Sequence, residues 1–158
     1  MMYQYAVLLI CAVVSAEHCA DKDRKENHEE FVGFSASVDQ IKTFTPGETV
    51  KFSRVITNAG NNYDPDTGVF TAPRTAYYLF YINGHSNDAS RFWFQLIHNE
   101  IPRISCHASQ GWINAGNSAL LKVKAGERVY VKTCCESSTV FSSETEHYVT
   151  FTGHLAGV

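Results

Sequence analysis

From residue 31 onward the apolar positions recur at every second residue in short bursts, separated by Gly, Pro, Asn and Asp. Successive side chains on a strand point to opposite sides, so this spacing predicts strands with one face turned to a core. Phe34, Ala36 and Val38 alternate in a first strand, and Val50 and Phe52 read as a second after the turn at residues 45–48. Residues 58–68 are dense in Asn, Asp, Pro and Gly and predict a long loop. Residues 77–82 and 92–97 are apolar at both parities, which suits strands buried on two sides or shared with a second subunit. Ala119, Leu121 and Val123, the turn Ala125-Gly126-Glu127, then Val129 and Val131 read as a hairpin. Residues 134–147, rich in Ser and Thr, read as a surface loop, and residues 148–155 close the pattern with Val149, Phe151 and Leu155 on one face. Helical periodicity is missing, and about eight to ten strands predict an all-β antiparallel sandwich or jelly roll.

The first thirty residues break this pattern. Residues 5–16 form an apolar run closed by Val14-Ser15-Ala16, the form of a secretory signal peptide cut after Ala16, although residues 1–4 lack the usual Lys or Arg. The competing reading is a frayed N-terminal helix. A bilayer core needs roughly 20 apolar residues, which this run and every later one fail to reach, so no membrane insertion is expected and the product is read as secreted and extracellular. Residues 17–30 carry six acidic and three basic groups and no aromatic. Such a segment cannot bury enough surface to fold alone, so it reads as a charged flexible arm in which His18, Cys19 and His28 are solvated. The division is therefore signal peptide 1–16, arm 17–30 and one globular domain 31–158, within the usual size of a single domain.

Charge follows the same division. The chain of 158 residues has a formal charge of −3, and residues 31–158 hold ten groups of each sign, so all of the imbalance lies in the arm. A neutral domain lacks the field that drives nucleic-acid binding, and its selectivity has to come from shape and stacking. Four Pro and ten Gly without a triplet period exclude a collagen-like stalk in this sequence.

Cleavage after Ala16 removes Cys11 and leaves Cys19, Cys106, Cys134 and Cys135. In a secreted chain these suggest disulfides, with three pairings open. Adjacent Cys134 and Cys135 on an extended segment would face opposite ways, so the expected bond joins Cys106 to Cys134 or Cys135, with Cys19 left for a bond between chains or a free thiol. Zinc is disfavoured because no two close pairs have finger spacing, and Cys106-His107 fails as nucleophile and base because neighbouring strand residues diverge. No nucleophile elbow, zinc-protease helix or phosphate loop occurs, so no enzyme is expected. The alternating Asp64 and Asp66 suggest a calcium loop, but Thr75 stands where an EF-hand would need Glu, so a hydrogen-bonded turn is favoured. No Asn-x-Ser/Thr sequon is present.

One constellation is more specific. Phe52, Asn58, Tyr63, Phe70, Tyr78 and Phe80 at their spacings resemble the signature of the complement C1q globular-head family. Residues 63–73, residues 117–131, and the closing stretch with Phe151 and Gly153 are similar to further parts of it. Ala76, Ile82 and His154 depart from the family pattern, and Ala76 implies a negative φ at that position. The resemblance implies a ten-strand jelly roll related to tumour necrosis factor, assembled as a homotrimer that presents three identical loop clusters. Short, stalkless relatives are commonly innate-immune lectins, which implies a glycan or microbial-surface partner. Arg91, Trp93, Arg103, His107 and Trp112 are the residues suited to stacking and anion pairing there, though Trp93 sits inside a strand run and reads more readily as core. No cofactor is required; calcium is the one ion the resemblance allows, with no ligand set placed among Asp39, Asp64, Asp66, Asp88 and the Glu residues. An extracellular matrix or biomineral role resting on Cys19, and a cytokine-like receptor ligand resting on fold kinship, are the alternatives.

Overall fold

The structure, a computed structural model, describes residues 31–158. The segments read as signal peptide and arm, with Cys19, lie outside the described residues. Twelve strands follow in order: β1 Gly33–Ser37, β2 Lys42–Phe44, β3 Arg54–Ala59, β4 Tyr63–Asp64, β5 Val69–Thr71, β6 Ala76–His85, β7 Phe92–His98, β8 Ile101–Ala108, β9 Asn114–Val123, β10 Arg128–Thr133, β11 Ser138–Val140 and β12 Thr150–Gly157. Ten of them form two five-stranded sheets, ordered β3-β1-β12-β6-β9 and β4-β5-β10-β7-β8, and β2 and β11 pair apart. Every pairing is antiparallel. This is the all-β jelly roll that the alternation predicted.

β6 shows how pattern becomes layer. Ala76, Tyr78, Phe80, Ile82 and Gly84 are buried, while Tyr77, Leu79, Tyr81, Asn83 and His85 face out. The core between the sheets is aromatic. The Phe34 ring stacks on Tyr63 at 4.6 Å and meets Phe151 edge-on at 4.8 Å, and Phe70 lies 5.4 Å from Tyr78 and 5.5 Å from Phe80. Phe52 completes this cluster at 5.6 Å from Phe151. The spaced aromatics of the signature are thus interior packing groups. Asn58 explains its own place among them: its Oδ1 accepts from Tyr63 N at 3.2 Å and its Nδ2 donates to Tyr63 O at 2.8 Å, which closes the loop that delivers Tyr63 to the core. The Tyr63 hydroxyl donates to Phe52 O at 3.2 Å, and burial pushes its pKa well up. Gly153 is required by space, since a Cβ there would come within 2.6 Å of ring atoms of both Phe34 and Phe80.

Three local expectations are corrected. β9 and β10 are not a hairpin: β9 pairs with β6, β10 pairs with β5 and β7, and the turn between them passes from one sheet to the other. Val123 and Val129 therefore enter the core from opposite layers. Val50 and Phe52 are buried as expected but belong to no strand, with Val50 N bonded to Val131 O at 2.9 Å. Residues 134–147 are not all loop, because β11 pairs with β2 and buries Ser138 and Val140.

The outward face of the first sheet is unusual for its composition. Tyr77, Leu79 and Tyr81 on β6 stand opposite Lys122, Leu120 and Ser118 on β9, and Leu120 is 59% exposed. Beside this ridge, Gly33, Ser35, Thr57, Thr152 and Gly153, with Phe31, Phe34 and His154, line a shallow groove of about 470 Å³. His154, a departure from the family pattern, stacks over Tyr81 at 6.4 Å.

Candidate functional site

The segments 86–91, 109–113 and 134–141 meet at one end of the sandwich and are stitched together by hydrogen bonds. Ser86 Oγ donates to the carbonyls of Ser109 and Gly111, Gly111 N donates to Asn87 O, and Phe141 N donates to His85 O. Arg91, Trp93, His107 and Trp112 all gather here. Arg103 does not, because it sits near the far end of β8, where the β7–β8 register shifts. Its Nη2 lies 3.5 Å from His98 Nδ1, and the buried His98 Nε2 lies 2.8 Å from Glu127 Oε2. The Glu127 carboxyl is pulled down to about 2, first by the Lys124 backbone N–H and then by His98. Arg103 thus belongs to a polar cluster with His98 and Glu127.

The four remaining residues divide into two groups. Phe92, Phe94 and Leu96 point inward, which turns Trp93 outward, and it is 36% exposed. Trp93 is not core. Its ring faces His107 of the neighbouring strand at 5.5 Å. Arg91, two residues earlier, forms an ion pair with Glu136 at 3.0 Å and lines a cavity of about 630 Å³ with Ala89, Ser109 and Gln110. Trp112 is 58% exposed, yet its Nε1 donates to Asp88 Oδ2 at 3.1 Å and its ring packs edge-on against Phe141 at 4.9 Å.

The cysteines complete the Trp93 edge and overturn the expected pairing. Cys134 and Cys135 are bonded to each other, and Cys106 is a free, buried thiol. The expectation failed because the two adjacent residues are not extended: they follow the end of β10 in a turn, and Cys135 has a φ of +54°. Cys106 faces the core opposite Phe94, where burial pushes its pKa from an ordinary value near 9 up to about 12. The reactive thiolate is therefore suppressed relative to an ordinary cysteine. In the native protein at pH 8, peptide mapping after iodoacetamide is expected to find Cys106 unmodified, with labelling only after denaturation; rapid native labelling would contradict its burial.

Asp64 does not offer a free carboxylate. Its Oδ1 accepts from Asp66 N at 2.9 Å and its Oδ2 from Thr67 Oγ1 at 2.8 Å, which hold its pKa below the usual range and make the turn that the sequence suggested. Among the described residues no group of three His, Cys, Asp or Glu side chains gathers to hold a metal, and no helix is long and apolar enough to cross a membrane.

The C1q domain family model matches residues 33–156. Mouse complement C1q tumor necrosis factor-related protein 6 is 32% identical over 108 residues, and its rat counterpart 31%. Each match spans 66% of this chain and 41% of the mammalian protein. Among solved structures, the globular domain of zebrafish complement 1qA protein aligns with a TM-score of 0.65 at 17% identity, covering 80% of this chain and 98% of that one. Eiger TNF from S. frugiperda aligns at 0.64 with 13% identity, covering 80% and 92%, and murine APRIL at 0.59 with 12% identity, covering 80% and 98%.

Proposed function

Because the chain belongs to the C1q domain family, we propose that it is a secreted, non-enzymatic homotrimer that recognises carbohydrate or microbial-surface ligands through its clustered end loops. The observation that carries the reading is the separation of two surfaces on one domain. The ridge of Tyr77, Leu79, Tyr81 and Leu120 beside a shallow, mainly apolar groove supplies a face of the kind that subunits bury. The end bearing Arg91, Trp93, His107 and Trp112 supplies exposed aromatics among polar groups. Three copies joined through the first surface display three copies of the second, and such multivalency raises affinity by roughly 10² to 10⁴ over one site. In this reading residues 1–16 are removed on secretion and residues 17–30 serve as a tether.

Light scattering on the mature chain is expected to give the mass of three copies. The intact oligomer is expected to bind at least one member of a panel of glycans, lipopolysaccharide and peptidoglycan, tested with and without calcium. A strict monomer would remove the avidity argument, and silence across the whole panel would sink the recognition reading.

A further inference from the structure

Resting on that reading and narrowing it, we propose that Trp93, the Cys134–Cys135 ring and the cavity at Arg91 form one subsite for a neutral pyranose residue of a glycan. The strand register places the parts. Thr133 pairs with Phe94 and both are buried, so the next pair, Cys134 beside Trp93, is turned outward, joined by Cys134 N donating to Trp93 O at 3.0 Å. Trp93 therefore lies in a row with the His107 imidazole on one flank and Cys134, which begins the disulfide, on the other. Indole and disulfide together make an apolar platform, the surface on which the C–H face of a sugar ring packs.

A platform alone would take any flat apolar group. The polar groups beside it select hydroxyls. Arg91 precedes Trp93 by two residues, and Ser109 and Gln110 continue the chain just beyond His107, so the cavity of about 630 Å³ opens next to the platform. Its donors and acceptors are planar or hydroxylic and suit the paired hydroxyls of a pyranose. Charge then decides between sugar classes. Arg91 is paired with Glu136 at 3.0 Å, so its charge is already matched by a carboxylate: a phosphate or carboxylate ligand would compete with Glu136, whereas a neutral sugar can accept from the guanidinium and donate to the carboxylate together.

The edge is also fixed before any ligand arrives. Trp93 N donates to Ser138 Oγ at 3.0 Å and Thr139 N donates to Arg91 O at 2.8 Å, which tie the turn after the disulfide to the start of β7. Preorganisation of this kind lowers the ordering cost of binding. Trp112 lacks this setting, since its N–H is committed to Asp88 and its ring to Phe141.

The chain has two tryptophans, so the test reads them separately. Methyl mannoside, galactose and N-acetylglucosamine are titrated into the ¹⁵N-labelled intact protein, alongside sialic acid and glucose 6-phosphate. The Trp93 indole signal is expected to move with at least one neutral sugar while Trp112 stays in place, equally at low and high salt. Trp93→Ala and, in the exposed loop, Gln110→Ala are each expected to raise the Kd by about tenfold or more. Movement of Trp112 alone, undiminished binding by both variants, or a response confined to the anionic sugars and abolished by salt would overturn the subsite. Should the panel bind the oligomer while Trp93 stays silent, this subsite falls and the recognition reading stands; should nothing bind, both fall.

Discussion

Phe151→Ala is expected to destabilise the domain by about 3–5 kcal/mol, the usual cost of emptying a buried phenylalanine site. Phe151 is fully buried and is the ring on which the core converges, touching Phe34 at 4.8 Å, Phe52 at 5.6 Å, Tyr63 at 6.0 Å and Phe80 at 6.1 Å. Those partners come from both sheets and from the irregular segment between β2 and β3, so no single element can move to fill the void. Against a typical total stability of about 5–15 kcal/mol the loss is large. In urea the midpoint should fall sharply with the slope unchanged, measured at fixed protein concentration because assembly adds to apparent stability. Phe141→Ala, at a half-exposed ring, should cost far less. A Phe151→Ala loss under about 1 kcal/mol would mean that the core repacks in a way this interlocked geometry does not allow.

Leu120→Glu is expected to have the largest effect on function. Leu120 is exposed in the single chain and stands opposite Leu79 in the middle of the apolar ridge, so a carboxylate there leaves the domain folded but puts an unpaired charge into the proposed subunit contact. The expected result is an unchanged β-type circular dichroism spectrum, the mass of one chain in light scattering, and apparent affinity for an immobilised ligand lowered by roughly 10² to 10⁴ as avidity disappears. Ile101→Glu is the control: it is 52% exposed, but on β8 of the other sheet, and should leave the mass at three chains. A Leu120→Glu oligomer of unaltered mass would move the interface off this face.

The layers were legible where burial follows parity, as it does along β6. Phe34, Ala36 and Val38 alternate in the sequence and point into the core in the fold, and the spaced aromatics of the signature meet there. What parity cannot encode is which strand lies alongside. Val123 and Val129 flank the same kind of turn whether the chain folds back on itself or crosses to the opposite sheet, and here it crosses. The same gap hid the site. Trp93 shares the outward parity of Gln95, but the apolar residues around it disguised its exposure, and its adjacency to Cys134 depends on a β7–β10 pairing between residues far apart in the chain. Arg103 looked equivalent to Arg91 by residue type, and only the register of β8 sends it to the other end. Cys134 and Cys135 were misread because one left-handed residue, invisible to composition, replaces an extended pair with a turn.

The placement of the rings also divides the molecule optically. Both tryptophans lie at the loop end, while the interior is built from phenylalanine and tyrosine, with Tyr63 and Tyr78 fully buried. Tryptophan emission from this protein therefore reports on the loop end, whereas tyrosine emission mixes the buried Tyr63 and Tyr78 with the exposed Tyr77 and Tyr81. An unfolding curve followed by tryptophan alone describes loosening of the loop end, and a mismatch with the curve followed by β-type circular dichroism separates fraying of that end from collapse of the sandwich.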